Sequence, residues 1–481
     1  MAIGMVESDI PARLDRLPWS RWHWRVVIAL GIAWLLDGLE VTLVGSISAM
    51  LERPDTLGLS ATQIGWAGSA YVAGAVIGAL YFGRKADRLG RKRMFLVTLT
   101  IYLAATLVTA FSFDFSSFVL CRLVTGIGIG GEYAAINSAI DELIPARVRG
   151  RVGLAINGTF WLGAAIGAAI SLPLLDIDLF APDTGWRLGF ALGAVLAIAI
   201  LIIRRDVPES PRWLLLHGRH SEARDIINRI ESGAACATAS SDEQDRNGRA
   251  ITLTVRPLPS WPEIVRALLR RYPGRTFLGL ALMVSQAFLY NAVFFPYALV
   301  LTRFHGVDEA RVGLHILPFA LANFLGPLLL GPLFDSIGRR KMIAGTYALA
   351  GIALAATGFA FMADWLDATL QTACWSIVFF LASAAASSAY LTVSEVFPLE
   401  MRAVSISTFY AVGTGAGGFL APALFGMLIE SQSRGAVFAG YALGAVLVLA
   451  AAIVALRFGV DAERRPLEEI APPLSAVDRE D

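Results

Sequence analysis

Twelve stretches of mostly apolar residues run through this chain, each about 18 to 25 long, enough to cross a hydrocarbon layer about 30 Å thick as helix. They fall roughly at 24–50, 61–82, 94–111, 117–140, 152–175, 186–203, 276–301, 311–334, 342–362, 371–394, 403–428 and 436–458. Only 16% of the residues are charged, against about 25% in soluble domains. Several runs are rich in Gly and Ala, as close-packed membrane helices are. A membrane β-barrel would show alternating segments of about ten residues instead. The pattern therefore predicts an all-α membrane protein of twelve spanning helices.

A short basic loop recurs. Gly83-Arg84-Lys85-Ala86-Asp87-Arg88-Leu89-Gly90-Arg91-Lys92 returns 248 residues later as Gly331-Pro332-Leu333-Phe334-Asp335-Ser336-Ile337-Gly338-Arg339-Arg340. A second pair has nearly the same offset: Glu142-Leu143-Ile144-Pro145 with Arg149, and Glu395-Val396-Phe397-Pro398 with Arg402. Repeats at a half-chain period point to a duplicated six-helix unit, an arrangement common among secondary transporters. The expected division is 1–203 for one bundle, 204–275 for a central loop, 276–458 for the second bundle and 459–481 for a tail.

The net charge of +1 is uninformative, but its placement is not. Arg53, Arg187, Arg303, Arg311 and Arg434 lie in the odd-to-even loops and Arg122 lies inside a span; the rest of the 40 Lys and Arg lie in the other loops and the tails. Positive residues stay cytoplasmic, which puts both termini and the central loop there, in a multi-pass protein of the inner or plasma membrane. Topology also explains the basic loops without nucleic acid. The first run is long enough to remain as a span, so no cleavable signal is expected. Cys121, Cys236 and Cys374 show no metal spacing, and neither a metal nor a disulfide is expected.

In the central loop, Ser221 reads as the N-cap of an amphipathic helix whose Ile226, Ile227 and Ile230 share a face toward the inner membrane surface. Residues 232–250 are small and polar and read as mobile, and the proline-containing tail after Arg457 reads as partly disordered. Helix two is expected to end near Gly83 and helix three to start near Met94. Asp87 is placed to meet the free N–H groups of a neighbouring helix N-terminus. Arg88, Arg91 and Lys92 are placed to pair with acids such as Glu142 in a latch that forms in one state and breaks in another. The first copy has six basic residues between Arg84 and Arg93, which predicts the stronger latch in the N-terminal half.

These loops resemble the signature of the major facilitator superfamily, and the likeness extends over nearly the whole chain. Pro208-Glu209-Ser210-Pro211-Arg212-Trp213-Leu214 matches a motif of its sugar porter branch letter for letter. Arg122-x3-Gly126-x-Gly128-x-Gly130, Glu395-Val396-Phe397-Pro398-x3-Arg402 and Leu467-Glu468-Glu469-Ile470 resemble three more. The resemblance implies a cytoplasmic gate built from Gly83, Asp87, Arg88, Gly90, Arg91, Glu142, Arg149, Glu209, Arg212, Asp335, Gly338, Arg339, Glu395 and Arg402.

Four ionisable residues fall inside spans: Asp37 and Glu40 in helix one, Arg122 and Glu132 in helix four. Each costs roughly 2.5–3.5 kcal/mol at mid-bilayer on insertion scales, so such residues usually face a cavity and pair. Asp37 and Glu40 are three apart and share a helix face. A carboxylate that gains and loses an Arg partner between two states is a proton switch. In proton-coupled sugar porters, a helix-one acid pairs with the helix-four Arg, and Glu40 and Arg122 resemble that pair. Asp37-Gly38-x-Glu40 is also similar to helix one of aromatic-acid proton symporters, and Gly130-Gly131-Glu132-Tyr133 to helix four of organic-acid symporters. A structural ion pair between helices one and four is the alternative for each acid.

Candidate solute contacts are the polar and aromatic residues of otherwise apolar spans: Asn157, Trp161, Gln286, Tyr290, Asn291 before a kink at Pro296, Asn323, Tyr390, and Tyr410 with Thr414. Gln286-x4-Asn291 resembles the sugar porter helix-seven pattern, but Ser285 stands where that pattern has a second Gln, Asn157 on helix five where a Gln is usual, and Tyr390 on helix ten where a Trp is usual. The expectation is a monomeric secondary transporter, with the bilayer and a small polar solute as partners and H⁺ as coupling ion in place of a cofactor. It imports a sugar or sugar-like solute by alternating access. An organic or aromatic acid, an uncoupled facilitator, an exporter and a membrane sensor remain open. Neither a Gly-x4-Gly-Lys-[Ser/Thr] loop nor an arrangement of His305 and His315 with a nucleophile suggests an ATP-driven pump or an enzyme.

Overall fold

The computed structural model describes residues 5–176, 178–204, 208–235, 251–254, 259–294 and 296–475. Cys236, most of the stretch read as mobile (236–250) and the part of the tail beyond 475 lie outside the described residues. Among the described residues the chain is helical except for one antiparallel ribbon, in which Met5–Ser8 pairs with Ile251–Thr254.

The helices labelled here as spans are α1 (Arg21–Leu51), α2 (Ala61–Leu89), α3 (Arg91–Thr109), α4 (Phe115–Leu143), α5 (Arg149–Leu174) and α6 (Pro182–Arg204). They continue with α7 (Pro273–Phe294, resumed as Tyr297–His305), α8 (Glu309–Ser336), α9 (Arg339–Met362) and α10 (Ala368–Glu395). The last two are α11 (Arg402–Gly413, resumed as Phe419–Glu430) and α12 (Arg434–Phe458). Ten are long and apolar enough to cross a membrane on the described residues alone, and α6 and α11 complete the twelve. Pro296 separates the two pieces of α7, because a proline supplies no N–H and disfavours helix in the residue before it. In α11 a π-helical turn, Thr414–Gly418, parts the two pieces, a feature often found at functional sites.

Close packing follows the glycines. A Cβ on Gly38 would overlap the Phe160 carbonyl, and one on Gly163 the Leu35 carbonyl, so α1 and α5 pack backbone to backbone. Within the two six-helix sets, α1 lies on α5, α2 on α4, α8 on α10 and α9 on α12. The sets meet through α2 against α11 and α5 against α8.

Several boundaries differ from expectation. Helix α2 continues past Gly83 to Leu89, and α3 begins at Arg91. The loop between them shrinks to Gly90, whose φ of 101° disfavours any side chain. Basic residues of the motif thus extend the helices beyond the apolar run, which hydropathy alone does not register. The amphipathic helix of the central loop spans His220–Ala235, so Ser221 lies inside it and does not cap it. Its Ala223, Ile227 and Ile230 are buried against Ile10, Leu14, Leu17 and Leu214, so this face packs on protein and not on a membrane surface.

Candidate functional site

The basic end of the bundle is held shut by two matched sets of contacts. Asp87, at the end of α2, accepts hydrogen bonds from the backbone N–H groups of Ala403 (3.3 Å) and Val404 (3.0 Å) at the start of α11. Asp335, at the end of α8, accepts them from Gly150 (3.0 Å) and Arg151 (2.8 Å) at the start of α5. Each carboxylate therefore satisfies free donors at the positive end of a helix from the other half. Arg91 pairs with Asp87 and Glu142, both at 3.0 Å. Arg339 pairs with Asp335 at 2.8 Å and with both carboxylate oxygens of Glu395 at 3.0 and 3.1 Å. Arg149 and Arg402 approach Glu395 and Glu142 across the seam, each at 3.7 Å. Gly83 presses on Ser407 and the Ala403 carbonyl, where a Cβ would not fit.

The first loop copy does not make the richer set of contacts: each Asp holds a helix start, and each loop Arg holds a buried Glu. Its extra cations do not add to the inter-half pairs: Arg84 donates to the Pro259 carbonyl, and Arg88 is exposed. Arg88 is thus not a Glu142 partner; that place belongs to Arg91. Glu209 accepts from the N–H groups of Arg91 (3.0 Å) and Lys92 and caps α3 beside Gly90. Burial pushes the Glu209 carboxyl up despite those bonds and one from its neighbour Ser210. The equivalent partner of Gly338 is Glu463, whose carboxylate accepts from the Arg339 N–H at 3.2 Å.

Two tail residues complete the seam. Arg212 donates to Glu468 (2.8 Å), to Asp15 (2.9 Å) and to the Glu142 carbonyl (2.8 Å). Burial works against its charge, but Glu468 and Asp15 outweigh that and raise its pKa. Asp15 also reaches Arg149 at 3.2 Å. Asp15 and Glu463 escaped the sequence reading because polar tails carry no periodicity to place them.

Midway along the helices, Arg122 donates to Glu40 at 2.5 Å, with both side chains buried. The guanidinium lies over the Tyr71 ring, 4.6 Å from its centroid, and the Tyr102 hydroxyl faces Glu40. A small cleft of about 10 Å³ between α1, α3 and α6 reaches Glu40, lined by Leu43, Thr106, Trp186 and Phe190. Asp37, one turn earlier, is 1% exposed and faces the Tyr133 hydroxyl, with Glu132 and Glu40 near enough for their charges to act on it.

An aromatic box adjoins Asp37. Trp34 stacks on Tyr133 at 4.7 Å and meets Tyr390 edge-on at 5.9 Å. Tyr410 closes the box, 4.9 Å from Tyr133. Phe160 links these rings to a second set in which Trp161 stacks on Tyr290 at 5.6 Å, near Phe294 and Phe319. Tyr290 donates to the Asn323 side-chain oxygen at 2.9 Å, and Asn323 donates to the Phe319 carbonyl at 2.9 Å. Asn291 bonds back to the Ala287 carbonyl at 2.7 Å and sits against Gly418 of α11. Gln286 is half-buried on α7, one turn before Tyr290. Asn157 is buried on α5, and its side-chain oxygen has no partner. Trp161, Tyr290, Tyr390 and Tyr410, named from the sequence as candidates, lie among these rings; Trp34, Tyr71 and Tyr102 were not named from it, and Tyr133 only within a helix-four motif.

A family model described as sugar (and other) transporter matches residues 20–473. The chain belongs to that family. It is a multi-pass membrane transporter and not an enzyme. Among its relatives is the niacin transporter NiaP of Acinetobacter baylyi, 27% identical over 468 residues, covering 96% of this chain and 99% of that protein. The 4-hydroxybenzoate transporter PcaK of the same organism is 33% identical over 225 residues, covering 46% of this chain and 47% of that protein. The fold matches the proton:xylose symporter XylE bound to 6-bromo-6-deoxy-D-glucose, with a TM-score of 0.76 at 19% identity, covering 93% of this chain and 98% of that one.

Proposed function

We propose that this transporter is a proton-coupled importer of a small, flat aromatic solute, working by alternating access with the basic end facing the cytoplasm. The observation that carries this reading is the box of Trp34, Tyr133, Tyr390 and Tyr410, built from α1, α4, α10 and α11. Rings drawn from both halves match the way these transporters bind solutes at the seam between repeats. Stacked and edge-on rings favour a planar π-system over a hydroxyl-rich sugar, which needs many paired hydrogen bonds. Asn323 and Asn291, which a sugar would use, each already give one amide N–H to a backbone carbonyl. The names of the niacin and 4-hydroxybenzoate transporters point the same way.

Glu40 and Arg122 form the proton switch in this reading. The small cleft between α1, α3 and α6 lies beside Glu40 and apart from the aromatic box. Protonating Glu40 removes its hold on Arg122, and a freed Arg122 rebalances α1 against α4. The seam at the basic end is the latch that closes while the opposite end admits solute. A sugar or polyol is the second reading, favoured by half-buried Gln286 and by Asn291 on α7.

The test is uptake into proteoliposomes of benzoate, 4-hydroxybenzoate, nicotinate, xylose and myo-inositol, with and without an inward proton gradient. Gradient-driven accumulation of an aromatic acid is expected. Accumulation of xylose or inositol alone would overturn the aromatic reading, and uptake indifferent to the gradient would overturn the coupling.

A further inference from the structure

The aromatic-solute reading leaves open which ring the box selects, and two neighbouring side chains bear on it. Trp34 and Asp37 stand three residues apart on one face of α1. Trp34 is 5% exposed and Asp37 1%, yet the Trp34 indole N–H and the Asp37 Oδ2 have no hydrogen-bond partner. Leaving a buried polar atom unpaired is costly, and a partner supplied by a ligand recovers that cost. The charged groups that act on Asp37 are Glu132 and Glu40, both acids. Arg122, the cation of this region, is taken by Glu40 and by the face of Tyr71.

The neighbourhood of Asp37 thus combines an unpaired carboxyl oxygen, two further acids and a cluster of aromatic rings that begins with Trp34 and Tyr133. An aromatic cage beside a carboxylate attracts a cation, or a base that can share a proton with the acid. A carbocyclic ring meets the same faces but presents C–H to Asp37 and leaves its oxygen unpaired.

Resting on the aromatic reading, we propose that Asp37 and the Trp34–Tyr133 stack recognise a ring nitrogen, so that the solute is a nitrogen heteroaromatic of the pyridine class. The Asp37 carboxyl and the ring nitrogen share one proton, forming either a neutral hydrogen bond or a carboxylate–pyridinium pair. The Trp34 N–H donates to an acceptor group elsewhere on the solute.

The experiment compares pyridine-3-carboxylate with benzoate, which has the same outline with C–H in place of nitrogen. Binding is read by calorimetry on the purified full-length transporter, wild type and Asp37→Asn. Wild type is expected to bind the pyridine at least about 10-fold tighter, the scale of one hydrogen bond to a charged group. In Asp37→Asn that ratio falls toward one. Equal wild-type affinities would overturn the ring-nitrogen assignment and leave the aromatic reading standing. Binding of neither ring, with xylose or myo-inositol bound instead, would overturn both. The wild-type comparison needs no variant, so a failure of Asp37→Asn to fold does not blunt the test.

Discussion

Replacing Asp87 by Asn isolates one strand of the latch. The native carboxylate accepts from Ala403 and Val404 and pairs with Arg91 at 3.0 Å, all with the side chain 1% exposed. An amide of the same shape keeps one acceptor oxygen and turns an N–H₂ toward the second backbone N–H. One charge-assisted bond is lost, about 1.5–3 kcal/mol, and a buried donor is left unsatisfied, so a loss of roughly 3 kcal/mol from the closed seam is a fair estimate. That is about a 100-fold shift toward the state with the basic end open. The reporter is Ser407, 2% exposed behind Gly83. In a background with Cys121, Cys236 and Cys374 changed to Ser, a Ser407→Cys thiol reacts with a membrane-impermeant maleimide only when the seam opens. Its alkylation rate follows the open fraction while the closed state dominates, and Asp87→Asn is expected to raise it about 100-fold. Arg88→Ala, at an exposed side chain, is expected to change it less than about twofold. If the two variants label at the same rate, the capping account of Asp87 is wrong.

Gly163→Ala puts a Cβ into the Leu35 carbonyl and is expected to cost about 1–3 kcal/mol by prying α1 from α5, whereas Gly45→Ala meets nothing within 4 Å and is expected to be neutral. Thermal melts in detergent separate the two. At the tail, Glu468 is buried, which alone would raise its pKa, but Arg212 outweighs this and lowers it. Its contribution is therefore complete above the unfolded value of about 4.3 and is lost as pH falls through the lower folded value. Limited proteolysis of the tail is expected to be unchanged from pH 7 to pH 5 and to accelerate only below about pH 4. In Glu468→Gln it is expected to be faster above about pH 4, to match wild type at lower pH and to lose that step.

The fold was legible because the bilayer imposes one length on every span, and because the duplicated loop repeats its chemistry as well as its spacing. Asp87 shows how far this goes: its place beside a foreign helix N-terminus follows from where free N–H groups must lie, and Ala403 and Val404 supply them. The helix ends were less legible. Arg84, Lys85 and Arg88 interrupt the hydropathy signal while the helix runs on to Leu89. Of the proposed solute contacts, some were legible as polar residues and some were not. Asn323 stood out as a polar residue in an apolar span, but its amide is spent on its own helix and on Tyr290. Trp34 and Tyr133 did not stand out, since an aromatic residue in a span reads as packing until four of them converge. Asp15 was invisible for a different reason, being joined to Arg149 and Arg212 only by the folding of a polar tail.

The most direct test of the central claim, that Glu40 carries the coupling proton, is Glu40→Gln in proteoliposomes with insertion verified. The change keeps a group that Arg122 can bond but removes the titration. Proton-driven accumulation is predicted to vanish while exchange of labelled for unlabelled solute continues. Accumulation that persisted in the inserted variant would contradict the account and return the Glu40–Arg122 pair to a structural role.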